Sequence, residues 1–288
     1  MSKVGFVGLG VMGNGMAQNL IKSGQDVMVY DVRPEACDAA VGLGAERAGS
    51  LEDMAGCDPV LVMVNTADQA SSVISALSKA VDSAKGLTVA IMSTIEPQEL
   101  RKLAGQYKAK GIDVIDAPVS GGPVLANAGQ LSIMAGGTES QVDKVRPALE
   151  PMSKAVFHVG DAGQGLAMKL VNNVITIANM TLVPAALKVG LEAGLNLKKM
   201  VEVIKASAGN NFVIENWEMA LLVMDIMIGN EASKQNQLKI NEKDIRAFIS
   251  LAKEMGIDSG AGAGVLSMVL SDDQADKALL DKFKAAMA

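Results

Sequence analysis

Histidine occurs once in the 288 residues, cysteine twice, and aromatic side chains make up only 3% of the chain. A single histidine, His158, excludes any mechanism that needs two of them. Two cysteines, Cys37 and Cys57, are too few for a disulfide framework or a cysteine-built metal site, and the expected setting is a reducing cytoplasm. A basic surplus is missing as well: 26 Lys and Arg stand against 32 Asp and Glu, for a net charge of −6. Acidic residues outnumber basic ones on both sides of residue 164. Nucleic acid and anionic lipid both call for a basic patch, so neither is an expected partner. The opening residues Met-Ser-Lys-Val-Gly-Phe-Val-Gly lack the charged start and long apolar core of a signal peptide.

Long uninterrupted apolar runs are also absent, although the mean hydropathy is high at +0.26. The most apolar stretch, residues 166–190, is broken by Lys169, Asn172, Asn173, Asn179, Pro184 and Lys188. A membrane span wants about 20 residues with few or no charges, so a buried helix is expected here. What the chain does have is apolar substance, 49% of its residues, enough to offset its ordering entropy by burial. Its length suggests about two domains.

Through residue 160, short β-branched runs alternate with helical stretches. Strands are predicted at 4–7, 27–30, 59–64, 88–92, 113–115, 131–134 and 156–159. Met12, Met16 and Leu20 recur at four-residue spacing and mark one apolar helical face. Strand–helix–strand alternation implies a parallel sheet with helices on both faces. From Gly165 onward the strand signal stops. Helices are predicted at 165–193, with a bend at Pro184, and at 198–207, 212–228, 234–255, 261–270 and 273–287. An α/β domain is therefore expected over 1–163 and an all-helical one over 164–288, joined by a long helix.

Three segments carry chemistry. Gly8-Leu9-Gly10-Val11-Met12-Gly13 follows a predicted strand and opens a predicted helix. The first glycine permits a tight turn, the second lets the backbone approach a pyrophosphate, and the third lets helix pack on strand. The next strand ends in Asp31, 23 residues beyond Gly8, near the separation of about 20 at which an acid takes the ribose hydroxyls of NAD. Asp31 would repel the 2′-phosphate of NADP, which favours NAD. Arg33 could pair with that phosphate, or it is a solvated charge at a helix start.

The second segment is Asp116-Ala117-Pro118-Val119-Ser120-Gly121-Gly122-Pro123. Ser-Gly-Gly after a strand can offer a hydroxyl and two unhindered N–H groups to a carboxylate, or it is an ordinary turn. In the third, Lys169, Asn172 and Asn173 share one helical face among apolar neighbours. Desolvation there would lower the pKa of the lysine and suit it to acid–base work. Alternatively its stem lies on apolar surface and its ammonium reaches water.

Together, in this order and spacing, these segments resemble the β-hydroxyacid dehydrogenase family over essentially the whole chain. The resemblance implies a Rossmann-type dinucleotide-binding domain followed by a helical domain. It implies NAD-dependent hydride transfer on a small β-hydroxy acid such as 3-hydroxyisobutyrate, tartronate semialdehyde's reduced form or a threonate-like acid. By that likeness Gly8, Leu9, Gly10, Val11, Met12 and Gly13 cradle the cofactor, Asp31 takes its ribose, and Val64, Asn65 and Thr94 line it. Ser120, Gly121 and Gly122 match the substrate-carboxylate loop, Lys169 the catalytic lysine, Asn173 the substrate-holding asparagine, and Lys243 a lysine closing over the nicotinamide end. Where many members carry Leu-Pro, this chain has Val64-Asn65. The amide-rich stretch from Ser207 to Phe212, with Glu215-Asn216-Trp217 beyond it, resembles relatives acting on polyhydroxylated acids, or it is a helix-linking loop. Family habit and the apolar helix around residues 219–228 imply a homodimer or homotetramer. The rival readings are an imine reductase-like enzyme and a dinucleotide-binding sensor without catalysis.

Overall fold

A computed structural model describes residues 3–82, 86–271 and 277–287. Nine strands form one sheet: β1 (Val4–Val7), β2 (Val27–Tyr30), β3 (Glu46–Arg47), β4 (Val60–Val62), β5 (Leu87–Ile91), β6 (Ile112–Asp116), β7 (Val119–Ser120), β8 (Leu131–Gly136) and β9 (Ser153–Gly160). Their order is β3-β2-β1-β4-β5-β6-β8-β7, with β9 also paired to β8. The first six are parallel. The entirely parallel sheet expected from the alternation is corrected at one end. There β8 runs antiparallel to β6 and β7, while β9 lies parallel to β8. The reason is the short link: a tight glycine turn and one short helix separate β7 from β8, which is too little chain for a parallel crossover.

Residues within the central strands alternate between two cores, as the two-residue period of a strand requires. Phe6, Val29, Leu61, Ala90 and Ile115 belong to one cluster, with Met16 and Leu20 of α1 (Val11–Lys22). Val7, Val60, Val62, Val89, Ile91 and Val114 belong to the other, joined by side chains of the helices at 67–80 and 97–108. A sheet covered on both faces explains why β1, β4 and β5 read as continuous apolar runs rather than alternating ones. The remaining helices of this part are α2 (Asp38–Gly42), α3 (Ala67–Ala80), α4 (Pro97–Lys108), α5 (Gly122–Asn127) and α6 (Glu139–Leu149). Asn19 on α1 donates to the carbonyls of Ala126 (2.8 Å) and Asn127 (3.2 Å), tying α1 to the end of α5.

The chain divides into two compact units, Met1–Lys169 and Leu170–Ala288, and the helix α7 (Gln164–Glu192) runs through the division. It stays helical through Pro184. The second unit continues with α8 (Leu197–Lys205), α9 (Phe212–Glu215), α10 (Trp217–Ile228), α11 (Glu231–Glu254), α12 (Gly260–Val269) and α13 (Lys277–Met287). The single helix expected at 212–228 is two, because Asn216 leaves helical geometry at φ −111°, ψ 43°. Of the last predicted helix, residues 273–276 lie outside the described residues. Trp217 and Phe283 meet edge to face at 5.5 Å within the core of this unit. The strands β3 and β7, two residues each, are too short to leave a periodic trace in the sequence.

The expectation of a buried α7 is corrected too. It is the one helix among the described residues long and apolar enough to cross a membrane, by length and composition. Leu166, Leu170, Ile177, Val183 and Leu187 are buried, while Met168, Val171, Ile175, Leu182 and Val189 are exposed. A helix of this length shows several faces, and one chain covers only some of them. On α10 the same split appears, with Ala220, Leu221 and Met224 buried and Leu222 and Ile226 exposed.

Packing of α1 onto the sheet depends on Gly13, where an added Cβ would lie 1.9 Å from the Gly8 carbonyl oxygen. Gly13→Ala should therefore cost about 1–3 kcal/mol of unfolding free energy, as overpacking does. Gly10→Ala, whose Cβ meets nothing within 4 Å, should stay within about 0.5 kcal/mol of the parent. Urea denaturation of the two variants checks this, and equal midpoints would refute the close-packing argument.

Candidate active site

The site begins where β1 ends. Gly8 takes φ +94°, and a Cβ there would stand 2.2 Å from the Met63 carbonyl oxygen, so backbone passes directly over backbone. The turn lies where the chain reverses its direction along the sheet, β2 on one side of β1 and β4 on the other. In open α/β sheets this is where the crevice for a ligand forms. The helix α1 has no side-chain N-cap and no acid in its first turn. Its first N–H groups thus meet no carboxylate of their own turn, as a phosphate site requires. The open space above Gly10 is room a phosphate needs. On these grounds the turn fits a dinucleotide pyrophosphate. Of the other turn residues, Leu9 is buried and Met12 packs against the core, whereas Val11 is exposed.

Asp31 stands just past β2 and is already engaged with this turn. Its Oδ2 accepts the Leu9 N–H at 2.8 Å, and its Oδ1 accepts the Arg33 backbone N–H at 2.9 Å and the Arg33 Nε at 3.2 Å. Burial alone would raise its pKa, but these donors together with the guanidinium charge hold it below the usual carboxylate value. Arg33 is thereby paired rather than simply solvated.

The next loops follow β4 and β5. The Val64 N–H donates to the hydroxyl of buried Ser93 at 2.8 Å, and the Asn65 N–H donates to the Gln69 side chain at 2.8 Å. Gln69 also forms a capping box with Thr66 at the start of α3. Val64 and Asn65 are thus held by backbone contacts that leave the Asn65 side chain exposed, and half-buried Thr94 adjoins Ser93.

β6 ends in Asp116, and the chain continues into β7 with Ser120 paired opposite Ser132. Gly121 and Gly122 then take φ +142° and +69°, which only glycine adopts without strain. This turns the chain into α5. Asp116 itself is completely buried. Its two oxygens accept the N–H groups of Gly163 and Leu166, each at 2.7 Å. Burial drives its pKa up, those N–H groups pull it back, and the outcome is about 6. Lys169 lies three residues beyond Leu166 on α7 and is buried, with 9% exposure. Asn172 and Asn173 follow on the same helical face.

In the second unit, Asn173 donates its side-chain N–H to Asp244 Oδ2 at 2.7 Å, joining α7 to α11. The carboxylate of Asp244 is buried, and the Lys243 ammonium is 3.3 Å from its other oxygen. Fixing the amide this way leaves the Asn173 carbonyl oxygen and one N–H for a ligand. The amide-rich stretch after Ser207 is used locally. Asn211 caps α9, Asn210 donates to Glu215, and Asn216 donates to the Phe212 carbonyl. This is the helix-linking arrangement of the two open readings.

Each unit therefore carries its own share of the predicted residues: Gly8 to Gly13, Asp31, Val64, Asn65, Thr94, Ser120 to Gly122 and Lys169 in the first, Asn173 and Lys243 in the second. Sequence reasoning passed over Ser93 and Asp116 as working residues. Asp116 is the last residue of β6 and Ser93 lies two residues past the end of β5, and a polar residue at a strand's carboxyl end is the signal that could have found them. Among the described residues no cluster of His, Cys, Asp or Glu could hold a metal ion.

Residues 3–160 match the family model described as the NAD binding domain of 6-phosphogluconate dehydrogenase. Residues 163–287 match the one described as NAD-binding of NADP-dependent 3-hydroxyisobutyrate dehydrogenase. The chain is 35% identical to 2-(hydroxymethyl)glutarate dehydrogenase of Eubacterium barkeri over 88% of its own length and 83% of that protein's. It is 33% identical to 3-hydroxyisobutyrate dehydrogenase of Pseudomonas aeruginosa over 96% and 94%. Among solved structures, the Mycobacterium tuberculosis 3-hydroxyisobutyrate dehydrogenase with L-serine is similar at a TM-score of 0.82 and 26% identity, covering 99% of each chain.

The two aspartates pull stability in opposite directions with pH. Asp31 is held below its ordinary value, so its contribution is complete above the unfolded pKa and is lost as pH falls through the folded one. Asp116 is raised, so its ionised form costs stability at neutral pH. Between about 6 and 3.8 the native state binds a proton that the unfolded chain does not, and stability rises as pH falls. That gap corresponds to about 3 kcal/mol. Denaturant unfolding at pH 4.5 and pH 7.5 should show an acid-side gain smaller by about 2 kcal/mol in Asp116→Asn than in the parent, the rest of the gap being reached only below pH 3.8. Parallel pH profiles for the two proteins would contradict the assignment.

Proposed function

The chain belongs to the β-hydroxyacid dehydrogenase family, and from that membership we propose that it interconverts a small β-hydroxy acid and its semialdehyde or oxo acid. The observation that carries this reading is a buried lysine, Lys169, one turn into a helix whose start is fastened to the end of β6. When bound, the nicotinamide dinucleotide supplies the hydride acceptor or donor. Gly8, Gly10 and Gly13 hold its pyrophosphate, Asp31 its adenosine ribose, and Val64, Asn65 and Thr94 its flank. From the helical unit, Lys243 is assigned to the cofactor and Asn173 to the substrate. Ser120 and the N–H groups of Gly121 and Gly122 take the substrate carboxylate.

In oxidation, neutral Lys169 accepts the hydroxyl proton as hydride leaves the carbon. In reduction, the Lys169 ammonium returns the proton to the carbonyl oxygen. NAD is the proposed cofactor over NADP, because the Asp31 carboxylate repels a 2′-phosphate and already engages Arg33. An imine reductase is disfavoured by Lys169 and by the Ser120-Gly121-Gly122 loop, which a substrate without a carboxylate does not need. A catalytically silent sensor is disfavoured by the burial of Lys169, a costly placement for a lysine with no task. The two cysteines are free and buried, in keeping with a reducing cytoplasm.

A panel of 3-hydroxyisobutyrate, 3-hydroxypropionate, glycerate, serine and threonate, offered with NAD and with NADP, tests the reading. At least one acid should turn over faster with NAD, and Lys169→Ala should lower kcat by about 10²–10⁴-fold with NADH binding intact. An alanine variant that turns over at the parent rate would remove Lys169 from the mechanism. Tight NADH binding without turnover on any acid would leave two readings, a substrate outside the panel or the sensor.

We also propose that the exposed apolar faces of α7 and α10 are covered by further copies of the chain, as a homodimer or homotetramer. Light scattering should return a multiple of 29.8 kDa, and a particle of single-chain mass would reject the assembly.

A further inference from the structure

Asp116 is joined by short stretches of chain to both partners of the proposed reaction. Ser120 lies four residues after it, and Leu166, whose N–H it accepts at 2.7 Å, lies three residues before Lys169. Its other oxygen holds the N–H of Gly163, also at 2.7 Å, so one carboxylate grips the residue just before α7 and the first turn of α7 itself. The surroundings are shaped for this grip. A Cβ on Gly136 would come within 2.6 Å of Asp116 Oδ1, and one on Gly165 within 2.8 Å of Oδ2 and 2.2 Å of the Met134 carbonyl oxygen. The start of α7 thus sits directly against β8, with no side chain between them.

The carboxylate is also expensive to keep. It is completely buried, and no ion pair to it is found among the described residues. Burial raises its pKa, so its ionised form works against stability at neutral pH. Serine, threonine or asparagine caps helices without a buried charge. A buried, perturbed carboxylate where a neutral cap would serve is a candidate for a task beyond capping.

Resting on the assignment of Lys169 as the acid–base group, we propose that Asp116 is a positioning residue for proton transfer. Its two oxygens fix the height and rotation of the first turn of α7 against the end of β6, and so set where the Lys169 ammonium stands relative to the carboxylate-binding loop. That loop has its own support, the β7–β8 pairing of Ser120 with Ser132. Loss of the grip should therefore move the lysine and leave substrate and cofactor binding in place.

The test is a double-mutant cycle of Asp116→Asn and Lys169→Ala, run with NAD and the panel acid that turns over fastest. In the parent, Asp116→Asn should lower kcat by about 10–100-fold, the scale of a misplacement near 1 Å. The KM and the NADH dissociation constant should stay within about threefold. In the Lys169→Ala background the same substitution should leave the residual rate unchanged, with or without added methylamine as a diffusible base, because no lysine remains to be placed. Asp116→Glu should recover part of the lost kcat by restoring both acceptors, and it replaces the asparagine variant in the cycle if that one does not fold.

Equal losses in both backgrounds would show that Asp116 acts on the fold and overturn the proposal, as would an asparagine variant with parent kcat. A Lys169→Ala protein with parent activity would instead overturn the proposed mechanism itself, an outcome the first arm of the cycle identifies separately.

Discussion

The whole first unit depends on backbone approaching backbone at the carboxyl edge of its sheet. Gly8 lies against the carbonyl of Met63, Gly13 against that of Gly8, and Gly165 against that of Met134. At each point a methyl group would occupy space that another main chain already holds. The first two contacts bring α1 down onto β1 and set its first N–H groups at the edge of the crevice. The third brings α7 down onto β8, within reach of a buried carboxylate. Helix N-termini are useful only where they point, and here glycine decides the pointing.

Around this frame polar side chains hold the loops and amides in place. Asp31 stabilises the glycine turn through the Leu9 N–H before any ribose arrives. Ser93 secures the Val64 backbone beside half-buried Thr94. Asp244 fixes which way the Asn173 amide faces. A site organised in advance by its own hydrogen bonds loses less order when a ligand binds. The small hydroxy acids proposed as substrates have few atoms with which to offset such a loss.

Much of this was legible from the residues alone, for reasons that can be named. The glycine turn and Asp31 lie within one strand–helix–strand unit, and their spacing is set by the length of that unit. The long helix announced itself by its apolar run, and the change from sheet to helices by the end of the strand signal. What stayed hidden depends on contacts far apart in sequence. The antiparallel end of the sheet arises from a two-residue strand, β7, that is too short to be periodic. The embrace of Asp116 by Gly163 and Leu166 spans 47 and 50 residues, and no local pattern encodes it. The break at Asn216 is a single residue leaving helical geometry inside an otherwise apolar run. The exposure of half of α7 escaped for another reason, since hydropathy reports how apolar a face is and not what covers it.

The double duty of Asp31 bears on the proposed choice of NAD over NADP. Replacing the acid to admit a 2′-phosphate would release the Leu9 N–H and the Arg33 side chain together. One loosens the turn proposed to hold the pyrophosphate, and the other frees the cation the new phosphate would need. Gain and loss are thus coupled in a single side chain, so the accessible mutational path begins with a new partner for Leu9. A selection experiment for the phosphorylated dinucleotide would then accumulate changes in the glycine turn ahead of any at position 31.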